Sequence, residues 1–147
     1  MIRLIVVGKT REPFLAEGIA LFAERISRFA SVKIVEVKDG SMKEEGERIM
    51  KALGREDYAV VLDVKGTELS SEELATLIKK NFDKKVAFII GGPQGLPPAV
   101  RERSDLLLSL SRMTYTHEMA RLILMEQIYR SYAIINGTGY HKSNTPA

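Results

Sequence analysis

Two rhythms of apolar and polar positions trade places along this chain. Ile2 to Gly8 is a short run rich in β-branched residues; Phe14 to Phe29 carries apolar side chains at 14, 15, 19, 21, 22, 26 and 29; Val32 to Val37 returns to the first pattern. Short β-branched runs pack as strands, whereas spacings of three and four place side chains on one face of a helix. The opening therefore predicts a βαβ unit. Lys43 to Leu53 predicts a charged amphipathic helix, Tyr58 to Val64 a buried strand, and Ser70 to Phe82 a helix. Ser70 and Ser71 can accept hydrogen bonds from the free amides of a first turn, and Glu72 and Glu73 suit its dipole. Val86 to Ile90 predicts a strand, Gly91-Gly92-Pro93-Gln94-Gly95 a turn and Pro98 to about Arg103 a short helix. Leu106 to about Leu110 predicts another strand and His117 to about Ile135 a long helix.

Repeated strand–helix alternation predicts an α/β fold, a mainly parallel sheet with helices on both faces, formed by one domain over residues 1–147. Such sheets bind ligands beyond the C-terminal ends of their strands. Lys38 to Lys43 is expected to be the mobile loop and Ser143 to Ala147 a frayed end. The long helix has apolar residues at 119, 122, 123, 124, 125, 128, 129, 132 and 133, too wide a stripe for one open face, so a second covering surface is expected, and a symmetric homodimer would supply it.

Composition narrows the chemistry. With 45% hydrophobic and 28% charged residues the chain is an ordinary folded globule rather than a disordered or membrane-embedded one. The absence of cysteine removes disulfides, zinc ribbons and thiol nucleophiles, and suits a reducing, cytoplasmic setting. The apolar run Leu4 to Val7 is too short for an export signal, and no run approaches a membrane span. The net charge of +3 permits an anionic partner without naming one. Its distribution says more, because no acid follows Glu126 whereas Arg130, His141 and Lys142 do.

Several familiar motifs fail. Gly8-Lys9-Thr10 lacks the earlier glycine of a phosphate loop, since position 3 is Arg3. His117-Glu118 opens a helix as a zinc-protease motif would, yet Arg121 occupies the second ligand position, and no metal site is expected. No Gly-x-Ser-x-Gly elbow exists, and Gly91-Gly92-x-x-Gly95 has the wrong spacing for a dinucleotide fingerprint. That glycine turn is open to two readings, a bare turn or a ligand's approach.

What remains is a convergence. In a parallel sheet Leu62-Asp63, Gly91-Gly92 and the loop Leu110-Ser111-Arg112-Met113-Thr114-Tyr115-Thr116 meet at one edge. The loop mixes apolar and hydroxyl residues and has no glycine or proline. It either continues a core strand or receives an apolar ligand such as an adenine ring, whose polar edge would satisfy the loop's backbone. Thr116 is placed to cap the helix that follows. On that helix Glu126 can pair with Arg130, whereas Arg121 has His117 and no acid at the same spacing, which makes a phosphate one option for its partner.

Ile90-Gly91-Gly92-Pro93-Gln94-Gly95-Leu96, Leu108-Ser109-Leu110-Ser111 with Met113-Thr114, His117, Arg121, Glu126-Gln127-Ile128-Tyr129-Arg130 and Tyr140-His141-Lys142 together resemble the RlmH family. Val6-Val7-Gly8-Lys9 and Leu62-Asp63 to Gly66 extend the resemblance over the whole length. These are SPOUT-class methyltransferases acting on a pseudouridine of large-subunit ribosomal RNA. The resemblance implies S-adenosylmethionine as methyl donor, a trefoil-knotted C-terminal half, and a homodimer whose active site is completed by the partner's tail. It implies donor contacts at Leu62, Gly91, Gly92, Leu110, Ser111, Arg112, Met113, Thr114 and Tyr115, and chemistry at His141, Arg121 and Tyr140. RNA contacts are implied at Arg121, Arg130 and Lys142. His141, neutral at pH 7 when unperturbed, is the expected acceptor of the imide proton at N3 of the pseudouridine. Thr116 and Gly139 stand where members often have proline; the first is expected to alter the rigidity of the loop and the second to leave the tail freer. The rival from another class is a non-catalytic ribosome-binding or assembly factor using the same basic surface, distinguished by an empty donor pocket; a flavodoxin-like carrier would show flavin absorbance.

Overall fold

A computed structural model describes residues 1–146. Five parallel strands, β1 (Ile2–Val7), β2 (Val32–Val37), β3 (Tyr58–Glu68), β4 (Val86–Ile90) and β5 (Leu106–Ser109), form one sheet in the order β2-β1-β4-β3-β5. The connecting helices are α1 (Pro13–Ser27), α2 (Met42–Ala52), α3 (Ser71–Lys80), α4 (Pro98–Arg103) and α5 (His117–Ile135), with a short α6 (Tyr140–Ser143) at the tail. The order places β4 and β1 at the centre, and their sequences read as near-continuous apolar runs because both faces are covered.

The pleat sorts those runs. Ile2, Leu4 and Val6 of β1 and Val86, Phe88 and Ile90 of β4 face one way, into a core closed by Ile19 and Ile26 of α1, Leu74 and Ile78 of α3, and Leu124, Met125 and Ile128 of α5. Ile5, Val7, Ala87 and Ile89 face the other way, against Ile49 of α2 and Val100 of α4. Side chains of successive strand residues point to opposite faces, so each strand feeds both cores. Ser70 and Ser41 cap α3 and α2 through capping boxes with Glu73 and Glu44, and Thr116 caps α5 by accepting from the Met119 amide at 3.1 Å.

Three expectations are corrected. The first concerns α5. Every residue from His117 to Ile135 is at least half-buried, and the helix lies on the sheet between α1 and α3. Gly18 of α1 gives the close approach: a Cβ there would stand 2.8 Å from Leu122 Cδ1. Neighbouring helices of the same chain thus cover the wide apolar stripe, which does not by itself call for a second subunit. The second concerns Lys38 to Lys43, expected to be mobile. Arg48 donates to the carbonyls of Lys38 and Asp39, Gln94 donates to that of Gly40, and the Gly40 amide donates to Glu45.

The third is β3, which runs past Val64 to Glu68 but leaves the ladder on the way. Leu62 pairs with Leu108, and so does Thr67, so the residues between them are extruded as a bulge. Gly66 returns the chain: a Cβ there would lie 2.6 Å from the backbone of Leu107. An extruded segment does not alternate, so the sequence pattern stops where the bulge begins.

Candidate functional site

The bulge, the glycine turn and the loop after β5 enclose a cavity of about 560 Å³ beyond the C-terminal ends of β3, β4 and β5. Its volume lies within the roughly 300–1,000 Å³ of small-ligand sites. Leu62, Asp63 and Val64 come from β3, Gly91, Gly92 and Gly95 from the turn, and Leu110, Ser111, Met113 and Tyr115 from the loop. Arg101 of α4 and His117 and Ala120 of α5 complete the wall.

Of the nine expected donor contacts, Leu62, Gly91, Gly92, Leu110, Ser111, Met113 and Tyr115 line the cavity, and Arg112 and Thr114 do not. Lining residues 111, 113 and 115 alternate with 112 and 114, the pattern of extended backbone that sends neighbouring side chains opposite ways. Met113 is 75% exposed and Val64 70%, an apolar rim of the kind that marks a binding mouth. Among the described residues, the hydrogen bonds of the Ser111–Tyr115 backbone are Ser109 Oγ to the Ser111 carbonyl and the Met113 amide to Ser111 Oγ. The other amides and carbonyls of this stretch remain available.

The turn owes its shape to glycine. Gly95 has φ +82°, in the left-handed region, and its amide donates to the Gly92 carbonyl at 3.0 Å. A Cβ on Gly91 would stand 2.8 Å from Leu96 Cγ, so a side chain there would push into the cavity wall. Asp63, nearly buried, pairs with Arg101 at 3.3 Å.

The tail residues gather elsewhere. Gly137, at φ +67°, closes α5 with the Thr138 amide on the Ala133 carbonyl and its own amide on Ile134, turning the chain back along the helix. Tyr140 then donates to Glu126 Oε2 at 2.7 Å, and its ring meets Tyr129 edge-on. Arg130 grips both oxygens of Glu126, at 3.2 and 2.8 Å, and lies over the Tyr140 ring. His141 Nδ1 takes an N–H from Arg130 at 3.0 Å, and its Nε2 lies 3.0 Å from Glu72. Burial, then the hydrogen bond to Glu126 and its charge, push the Tyr140 phenol up to about 12. The tail is therefore anchored rather than freed by Gly139.

A family model described as "Predicted SPOUT methyltransferase" matches residues 1–141. A ribosomal RNA large subunit methyltransferase H from Carboxydothermus hydrogenoformans is 44% identical, over 96% of this chain and 99% of its own length. The protein of that name from Caldicellulosiruptor saccharolyticus is 37% identical, over 97% and 100%. The chain belongs to this methyltransferase family. Solved folds agree: a probable methylase family protein from Haemophilus influenzae superposes with TM-score 0.57 at 13% identity, over 99% of this chain and 72% of that one. The SpoU methyltransferase AviRb from Streptomyces viridochromogenes, in complex with AdoMet, gives 0.50 at 17%, over 88% and 57%.

Within the family frame, the structure brings the expected donor residues together but separates them from the tail. His117 and Arg130 stand thirteen residues apart on one helix, roughly 20 Å at 1.5 Å per residue. Arg121 is placed where it meets no phosphate. It is 1% exposed, and its guanidinium donates to the carbonyls of Val7 (2.6 Å) and Gly8 (3.1 Å) and to Thr10 Oγ1 (3.0 Å). Those carbonyls end β1 and have no strand beyond them, so the cation ties α5 to the sheet edge. Arg130 is likewise buried, its charge met by Glu126 as the spacing predicts, and Lys142 keeps its cation in solvent. Sequence reasoning placed Asp63 at this edge without a partner, missed Val64 and Arg101 as wall residues, and gave His117 no task. Only the fold joins position 101 to position 63; His117 carried a signal, being the first residue of a helix that starts at a ligand loop.

Among the described residues no helix is long and apolar enough to cross a membrane, and no group of three or more His, Asp or Glu side chains could hold a metal.

Proposed function

We propose that this protein transfers a methyl group from S-adenosylmethionine to N3 of a pseudouridine in 23S ribosomal RNA of the large subunit. The observation that carries the reading is the cavity itself, at the strand ends of a SPOUT methyltransferase, walled by glycine backbone on one side and by the under-bonded Ser111–Tyr115 loop on the other. Free amides and carbonyls beside apolar Leu110 and Met113 suit an adenine ring, which needs stacking on its faces and polar partners at its edge. Leu62, Gly91, Gly92, Leu110, Ser111, Met113 and Tyr115 would hold the donor, with Arg112 and Thr114 contributing backbone only. The bound donor supplies an electrophilic methyl on a sulfonium. The protein's part is to align the acceptor in line with it and to remove the acceptor's proton.

The separation along α5 gives the homodimer its reason in this reading. Tyr140, His141 and Lys142 cannot serve their own chain's cavity from the far end of the helix, and the partner's tail would complete it. Exposed Phe14 and Leu21 on α1 offer apolar surface for such a contact. The trefoil knot belongs to the same proposal. Lys142 and Arg112, both exposed, are the cations for RNA phosphates, which makes binding salt-sensitive.

Calorimetric titration with S-adenosylmethionine, followed by transfer of labelled methyl to ribosomes lacking the modification, tests the proposal. Stoichiometric binding and label in 23S RNA are expected; a protein that binds ribosomes but no donor would be an assembly factor instead.

A further inference from the structure

We infer that His117, on the wall of the donor cavity, takes up the proton that the acceptor nitrogen loses during methyl transfer. The inference rests on the methyltransferase reading above and replaces the tail histidine in that task. Three observations carry it. His117 lines the cavity, at the first turn of α5 and directly after the loop assigned to the donor. Among the described residues neither of its ring nitrogens has a hydrogen-bond partner, so one lone pair is free. His141, by contrast, has both nitrogens engaged, one by the Arg130 guanidinium and one beside the Glu72 carboxylate. A base already accepting a hydrogen bond from arginine has no lone pair left for an incoming proton.

The carboxylate in the wall competes poorly. Asp63 is paired to Arg101 at 3.3 Å, so its carboxylate is already engaged by a cation. The charged groups around His117 are Glu118 and Arg121 on its own helix and Arg11 from the loop after β1. Burial first, then the Arg121 cation, lower the imidazole's affinity for a proton; Glu118 opposes this and Arg11 adds to it. The ring is therefore neutral at pH 7, the state a proton acceptor needs.

The step balances. The acceptor nitrogen's electron pair forms the new N–C bond as the C–S pair returns to sulfur, discharging the sulfonium, and the N–H proton passes to His117. One positive charge enters on the donor and one leaves on the imidazolium, which later gives its proton to water.

The test is single-turnover methyl transfer to unmodified ribosomes across pH, with donor binding and melting temperature measured on the same preparations. Wild-type rate should fall as pH drops through a value below the usual histidine range. His117→Ala should lose on the order of 100-fold in rate, keep its donor affinity, and regain part of its rate in added imidazole. Its residual rate should climb with pH, because only the acceptor's own ionisation then supplies the anion. His117→Gln keeps a polar side chain that cannot take a proton, and it should be as slow as alanine. His141→Gln should retain the acidic limb whatever its effect on ribosome affinity. A His117→Gln enzyme near wild-type rate, a His117→Ala enzyme whose donor affinity falls in step with its rate, or loss of the acidic limb in His141→Gln would overturn the inference. Absence of donor binding or methyl transfer in the wild type would instead overturn the reading beneath it.

Discussion

The two ends of α5 are built alike in sequence, each with a histidine, an arginine and a glutamate within a few turns, and they behave differently. At the C-terminal end the polar groups close on one another: Glu126 serves Arg130 and Tyr140, Arg130 also serves His141, and His141 reaches Glu72. At the N-terminal end Arg121 is engaged by the carbonyls that end β1, and among the described residues its buried Nε has no partner and the His117 ring faces the cavity with nothing bonded to it. A saturated buried network fixes geometry, whereas open groups beside a cavity have capacity left for a ligand. Residue type therefore says little about task here; what each polar atom already touches says much more.

The largest effect expected from breaking this contrast is at Arg121. Arg121→Leu removes three hydrogen bonds and strands the Val7 and Gly8 carbonyls in a buried place. Leaving one side of a buried charged contact unpaired costs about 3 kcal/mol, or a melting temperature lower by roughly 6–12 °C for a domain this size. A thermal melt reads it. An unchanged melting temperature would mean that the guanidinium does not hold the N-terminal end of α5 to the sheet.

Next is the closed end. Glu126→Gln keeps the shape but removes the charge that Arg130 and Tyr140 share, with an expected cost of about 1–3 kcal/mol. It also has a pH signature. Because the folded-state phenol of Tyr140 is raised from 10.0 to about 12, its contribution to stability is whole below pH 10 and fades as pH rises towards 12. Burial is the larger cause and stays in the variant, so tyrosinate absorbance should show Tyr140 titrating below the wild-type value yet above an ordinary tyrosine. No displacement in the Glu126→Gln titration would place the carboxylate outside the tail's anchor.

Much of this was legible beforehand, and the gaps have physical causes. The strand runs around Leu4 and Phe88, the caps at Ser70 and Thr116 and the convergence of Leu62, Gly91 and Leu110 all follow from local periodicity and from the rule for parallel sheets. The Glu126–Arg130 pair follows from helix spacing. The Asp63–Arg101 pair does not, because two elements separated by thirty-odd residues meet only once the bulge of β3 is built. Arg121 was misjudged for a related reason: a lone buried arginine needs acceptors, and spacing counts acids but cannot see the carbonyls that end a strand. The wide stripe of α5 suggested a second subunit, since a sequence shows how much surface a helix must bury but not whether α1 and α3 already bury it.

The smallest effect on folding, and the sharpest on function, is expected at Met113. Its side chain is 75% exposed at the cavity rim, so Met113→Ala should move stability by no more than about 0.5 kcal/mol. If the rim closes over an adenine ring, the same truncation removes apolar contact made only in the complex. A thioether side chain gains about 1.5–3 kcal/mol on full burial, and partial cover by a ligand would make the lost share about 1.4 kcal/mol, a roughly tenfold weaker donor Kd. Calorimetry and a melt on one sample separate the two quantities. A melting temperature that fell while the affinity held would mean that Met113 packs onto protein, and the loop Ser111–Tyr115 would then have no ligand to account for its unpaired backbone.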